Sequence, residues 1–176
     1  NFLIGLMGVF LLLSFQFRSY IEPIVVMIAI PLGLIGAVSG HLLMGLDLSM
    51  PSMVGMASLA GIVVNNSILL VLFIRMRRRA GETIADAAAG AGRQRFRAIA
   101  LTTMTTVAGM LPLLTEQSLQ AQVLIPLVTS LVFGLISAAL LVLLAVPALY
   151  AILDDFGLTA TLEEDIGAPE PAPVAS

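Results

Sequence analysis

The chain has 176 residues, 59% apolar and 11% charged, with a formal net charge of −3 and a mean hydropathy of +1.07. Soluble domains carry roughly 45–50% apolar and about 25% charged residues, and disordered chains combine low hydrophobicity with high charge, so both classes are excluded. With no cysteine, no lysine and one histidine, disulfide frameworks, thiolate metal sites and multi-histidine sites are excluded too. A nucleic-acid partner is not expected, nor is any cofactor. What remains is an integral membrane protein or a piece of one.

Charge is absent from residues 1–17, 23–46, 48–74, 98–115 and 117–153. A helix needs about 20 mostly apolar residues to cross a hydrocarbon core of roughly 30 Å. The runs do not alternate with a period of two, which argues against strands. The expectation is an all-α, polytopic transmembrane bundle of about five helices, with spans near 1–17, 24–44, 52–74, 98–114 and 123–148 making up a domain 1–153.

The first run is apolar from residue 2 with no basic stretch before it, which fits a signal peptide poorly. It looks like the cut end of a longer protein. In the second, Gly36-Ala-Val-Ser-Gly40 is a GxxxG pattern with Gly33 one turn earlier, a helix-contact motif. Pro31 lies in the same run and marks a place for a kink, and His41 is the one titratable residue well inside any run. The third run contains Asn65-Asn66-Ser67. An amide without a hydrogen-bond partner in hydrocarbon costs several kcal/mol, so these side chains must face other helices or water. Ser58, Gly61 and Asn65 share a helical face by their spacing. In the fourth run Thr102, Thr105 or Thr106, and Gly109 recur similarly. Two readings of these polar stripes stay open: interhelical bonding at roughly 1 kcal/mol per bond, or the lining of a proton or substrate path.

All eight basic residues are arginines, at Arg18 and between Arg75 and Arg97. They fall in two alternate connections, which the positive-inside rule places in the cytoplasm. Asn1 is then outside and the C-terminus inside. The stretch 75–97 is expected as a cytoplasmic loop anchored at anionic headgroups, with a short surface helix over Glu82–Ala91. Residues 154–176 are expected as an acidic, disordered cytoplasmic tail. No Asp, Glu, Lys or Arg is expected at the middle of any span, so this chain alone supplies no midplane proton carrier.

Four blocks in order carry a resemblance: the run from Ser19 to Gly36 containing Ile-Glu-Pro and Ile-Pro-Leu-Gly, Gly61-Ile-Val-Val-Asn-Asn-Ser-Ile-Leu-Leu-Val, Arg93-Gln-Arg-Phe-Arg-Ala-Ile-Ala-Leu-Thr-Thr, and Gly109-Met-Leu-Pro-Leu-Leu. Over about residues 1–153 the chain resembles the C-terminal end of resistance-nodulation-division (RND) efflux transporters. The resemblance implies the last five of twelve membrane helices in a proton-driven inner-membrane exporter of small molecules. Its partners would be the N-terminal remainder of the transporter, two further copies in a homotrimer, a periplasmic adaptor and an outer-membrane channel. The family's relay pairs two aspartates on the fourth helix with a lysine on the tenth and a threonine on the eleventh. Thr102 matches the threonine, Asn65 stands at the lysine position, Asn66 matches the asparagine beside it, and Ala98 replaces a proline. An amide cannot switch charge as a lysine does, but it can donate a hydrogen bond. Proton-relay candidates are therefore Thr102, Asn65 and Asn66, and helix-packing candidates Gly33, Gly36, Gly40, Ser58, Gly61, Thr106 and Gly109. The alternatives are a small non-transporting membrane subunit that packs against a partner, and a superfamily relative that moves lipid or assists protein export.

Overall fold

The computed structural model describes residues 2–157. They form five helices: α1 (Phe2–Phe17), α2 (Ile21–Met44), α3 (Met50–Arg79), α4 (Ile84–Thr115) and α5 (Leu119–Asp155). By length and apolar composition α2, α3, α4 and α5 can each cross a membrane. At 1.5 Å per residue α1 is only about 24 Å long, short of the roughly 30 Å of a hydrocarbon core.

Local chemistry sets the helix ends. Gly45 adopts a left-handed φ of 64° after α2. This lets the Leu46 N–H reach the His41 carbonyl at 2.9 Å and satisfy an otherwise orphaned acceptor. Ser49 precedes α3 in an extended conformation, with Pro51 in the first turn, where its missing N–H costs nothing. Thr83 caps α4 by accepting from the Asp86 N–H at 3.3 Å, and Ser118 caps α5 by accepting from Ala121 N–H at 3.3 Å.

The expected loop over 75–97 is not a loop. α3 runs on through Arg79, only Ala80–Thr83 are non-helical, and α4 then continues unbroken to Thr115. Arginine is a good helix former, and three arginines in the last turn suit the negative end of the α3 dipole. Arg77 clasps the reversal, with Nε 2.9 Å from Glu82 Oε2 and Nη1 donating to Gln94 Oε1 at 3.2 Å. Gly90 and Gly92 do not break α4: a side chain at Gly90 would meet the end of the Arg77 guanidinium, and Gly92 faces Pro147 at ordinary contact distance. The expected surface helix over 82–91 is thus the first part of a long α4. At the other end, Asp154 and Asp155 belong to α5, and residues 158–176 of the expected tail lie outside the described residues.

α2 and α5 make the most extensive contact, α3 packs across both, α4 lies against α3 and α5, and α1 touches mainly α2. The core is small and branched: Val25, Val26, Ala29, Leu59, Val63, Val142 and Val146 meet there. Glycines allow the approach. A Cβ on Gly36 would overlap Ser137 and the Phe133 carbonyl, and one on Gly40 would overlap the Phe133 ring, so the GxxxG pattern of α2 lies on α5. Gly33 sits against Val63 of α3 and Ala138 of α5. Ser137 Oγ donates to the Leu32 carbonyl at 3.2 Å, one residue past Pro31.

One polar chain in this core is bonded from helix to helix, while Thr129 Oγ1 and Tyr150 OH are buried without a hydrogen-bond partner among the described residues. His41 is 2% exposed. Its Nδ1 donates to the Ala37 carbonyl at 2.9 Å, and its Nε2 lies 2.7 Å from Ser52 Oγ. Ser130 Oγ donates to the Ser52 carbonyl at 3.1 Å. Ser52 thus joins α2, α3 and α5 at one end of the bundle.

Candidate functional site

Ile62, Asn65, Asn66 and Leu69 recur every three or four residues, so they stand on one face of α3. Arg95, Ala98, Ile99, Thr102 and Thr106 do the same on α4. These two faces oppose each other across a cleft of about 300 Å³, closed at one side by Leu135 of α5. The three relay candidates, Asn65, Asn66 and Thr102, therefore share one cavity.

The hydroxyls spend their protons locally. Thr102 Oγ1 donates to the carbonyls of Ala98 and Ile99 at 2.9 and 3.1 Å. Thr106 Oγ1 donates to the Thr102 carbonyl at 2.8 Å, and Thr105 Oγ1 to that of Leu101 at 2.8 Å. Their lone pairs stay available as acceptors. Among the described residues the Asn65 and Asn66 amides make no hydrogen bond, and no polar bond runs between α3 and α4 through these side chains. Asn65 and Thr102 are exposed to the cleft and Asn66 is half-buried.

Among the described residues Arg95 is the one charged group lining the cleft. Its guanidinium carbon lies 5.0 Å from the centre of the Phe73 ring, and its Nε is buried without a hydrogen-bond partner among the described residues. Sequence reasoning treated Arg95 only as a topology anchor. The signal was present: positions 95, 99, 102 and 106 share a helical face, but that face was legible only once α4 was known to run unbroken through the arginines.

The packing candidates divide. Gly33, Gly36 and Gly40 lie in tight contacts, whereas Gly61 and Gly109 have open space where a side chain would stand. Gly61 faces away from the cleft, into a groove shared with Gly5, Leu6 and Val9 of α1. Ser58 is exposed and its Oγ donates to its own helix at the Val54 carbonyl, 2.9 Å away. Within this chain Ser58, Gly61 and Asn65 thus do not form one contact stripe against α4.

A second polar cluster lies where α1, α2, α3 and α5 meet. Glu22, 1% exposed in the first turn of α2, pairs with Arg75 Nε at 3.2 Å. Arg75 Nη2 also donates to the Phe17 carbonyl at 3.1 Å, and its guanidinium carbon lies 5.5 Å from the centre of the Phe17 ring. That carbonyl ends α1, just before Arg18 turns the chain with a φ of 52°, so the guanidinium caps a helix end as it pairs the acid. Tyr150 of α5 is buried beside them.

Residues 2–154 match the AcrB/AcrD/AcrF family. The chain is 30% identical over 170 residues to a toluene efflux pump membrane transporter, TtgB, of Pseudomonas putida, and equally to the antibiotic efflux pump membrane transporter ArpB of the same species. Each alignment covers 97% of this chain and 16% of the relative. The crystal structure of a heavy metal efflux pump superposes with a TM-score of 0.77 at 28% identity, over 86% of this chain and 15% of that one. The chain therefore spans only a small part of the length of the relatives it matches. The family match takes in the helical bundle almost to the last residue of α5: the chain belongs to the AcrB/AcrD/AcrF family of RND efflux transporters.

Proposed function

We propose that this chain is the C-terminal membrane portion of a proton-driven RND efflux transporter exporting small molecules across the inner membrane, and that the α3–α4 cleft is its half of the proton relay. The observation that carries this reading is the grouping of Asn65, Asn66, Thr102 and Arg95 around one cavity, with two amides that bond nothing in the described chain. Free amide donors and a cation suit a carboxylate. Among the described residues no acidic side chain lines the cleft, so in this reading the proton-carrying acid comes from the remainder of the transporter.

Arg95 then supplies the fixed positive charge that holds an opposing carboxylate ionised. Asn65 and Asn66 donate N–H to it, and the Thr102 oxygen, its own proton held by the Ala98 and Ile99 carbonyls, accepts from the acid when that is protonated. Asn65 cannot itself change charge, so switching rests on the acid alone. The names of the relatives, a toluene pump, an antibiotic pump and a heavy metal pump, differ in cargo while sharing this membrane region, which supports a substrate choice made outside these helices. The working assembly is a homotrimer with a periplasmic adaptor and an outer-membrane channel, the first residues on the periplasmic side and the C-terminus in the cytoplasm.

Two measurements test the reading. An antibody to the acidic C-terminal stretch, used on source-cell membranes, is expected to mark a band several times larger than 18.5 kDa. A band near that mass would favour a short subunit that packs against a partner. In the protein expressed from its own locus, Asn65→Ala and Thr102→Ala are expected to cut export at unchanged membrane abundance. Export intact in both variants removes the relay assignment.

A further inference from the structure

On the side of α4 away from the relay cleft, a groove of about 480 Å³ runs between α4 and α5, within the roughly 300–1,000 Å³ of small-molecule sites. Gly92 and Phe96 of α4 and Leu140, Leu144 and Pro147 of α5 give it apolar walls, and among the described residues Arg93 is its one charged lining residue. We propose that this groove holds an anionic phospholipid of the surrounding bilayer, its phosphate on Arg93 and an acyl chain along the α5 leucines.

The polarity of the groove is graded along the helices. Gly92 lies level with Pro147, and the chain beyond Arg97 is uncharged to Thr115. Arg93 therefore sits where α4 leaves the apolar zone. From Pro147 to Leu140, α5 retreats about 10 Å toward its middle, deeper into its uncharged run. A cation at the mouth and leucines in depth match an amphiphile lying parallel to the helices.

Charge selects the occupant. Among the described residues the Arg93 side chain makes no hydrogen bond or ion pair, and no acidic side chain lines the groove. Phe96, Leu140 and Leu144 are largely exposed. An apolar helix laid here would cover the leucines and leave the arginine without an anion. A soluble acidic partner would answer the arginine and not the leucines. A phospholipid answers both, and a Lys or Arg near an anionic membrane surface contributes about 1 kcal/mol. The inference depends on the bundle lying in a membrane, not on the relay, so either can fail alone.

The test is native mass spectrometry of the transporter purified from its own membranes, titrated with phosphatidylglycerol or phosphatidylcholine. The wild type is expected to retain phosphatidylglycerol preferentially. Arg93→Gln is expected to weaken that retention about fivefold, as loss of one charge near the surface would, and Arg93→Lys to keep most of it. Leu144→Asn is expected to weaken it as well, while Arg79→Gln, off the groove, leaves it unchanged. Equal retention of both lipids, a neutral Arg93→Gln, a neutral Leu144→Asn, or an equal loss in Arg79→Gln would each overturn the proposal. The last of these would mark diffuse attraction by the arginine-rich end in place of a site.

Discussion

The α2–α3–α5 core and the α3–α4 cleft are built from the same kinds of residue and use them in opposite ways. In the core, glycines meet backbone and side chains directly, and every step of the His41–Ser52–Ser130 chain is bonded between helices. In the cleft, Thr102 and Thr106 bond only within α4 and two asparagines line the cavity without a hydrogen bond, and further along α4 a side chain at Gly109 would meet open space. Small and polar residues in a membrane helix thus do not announce their use. What separates glue from a working surface is whether the partner is already present in the chain.

That contrast predicts an order of damage. The largest loss of stability is expected at the buried ion pair. Arg75→Met removes the guanidinium that pairs with Glu22 and caps the Phe17 carbonyl, and breaking one side of a buried pair costs about 3–5 kcal/mol. Glu22→Leu combined with Arg75→Met is expected to recover much of this, since no charge is then left buried. Thermal unfolding of the purified protein in detergent, single against double variant, checks both. A double variant no better than the single would mean that the cap between α3 and the end of α1, not the charge, is what Arg75 contributes.

Gly36→Ala comes next. Its new methyl would overlap Ser137 and the Phe133 carbonyl, and forcing atoms into a packed site costs about 1–3 kcal/mol. Backbone cannot rotate aside as a long side chain can, so a value at the upper end is expected. Ser52→Ala follows, at about 1–3 kcal/mol, because it leaves His41 Nε2 buried without its partner. The same unfolding assay ranks them, with membrane abundance as a second readout.

The sequence made the helical bundle legible because long uncharged runs have one economical solution in a bilayer. It misled where charge was taken as the end of a helix. The arginines from Arg75 to Arg97 read as a loop, although arginine favours helix and the two glycines there leave α4 unbroken. That error hid Arg95 from the cleft. Glu22 was invisible for another reason. It lies just outside an apolar run, and its partner Arg75 is far away in sequence, so only packing reveals that the two are buried together. Asn65, Asn66 and Thr102 could be placed at the cleft because their environment has a local signature: polar atoms at helical spacing amid hydrocarbon. The failed stripe through Gly61 shows the limit of spacing. Asn65 and Gly61 are four residues apart, close enough to look like one face, yet α3 is flanked by α1 on one side and α4 on the other, and the two residues fall on opposite sides of that divide.

The smallest structural effect is expected where the functional one is proposed. Thr102→Ala removes a hydroxyl whose only bonds run to its own helix, and such back-bonding adds little to a helix. Surface changes of this kind usually fall within about 0.5 kcal/mol. Asn65→Ala takes away an amide that bonds nothing in the described chain, and Gly109→Ala adds a methyl into open space. All three are expected to unfold like the wild type in the assay that exposes Arg75→Met. Export then separates them. If the cleft receives a carboxylate from the remainder of the transporter, Thr102→Ala and Asn65→Ala lose export with their stability intact. Gly109→Ala keeps export if its open space is simply lipid, and loses it if another helix of the transporter closes on α4 there. Stability losses at Asn65 and Thr102 comparable to those of Ser52→Ala would erase the distinction between core and cleft, and the asparagines would then be interhelical bonds completed by the rest of the protein.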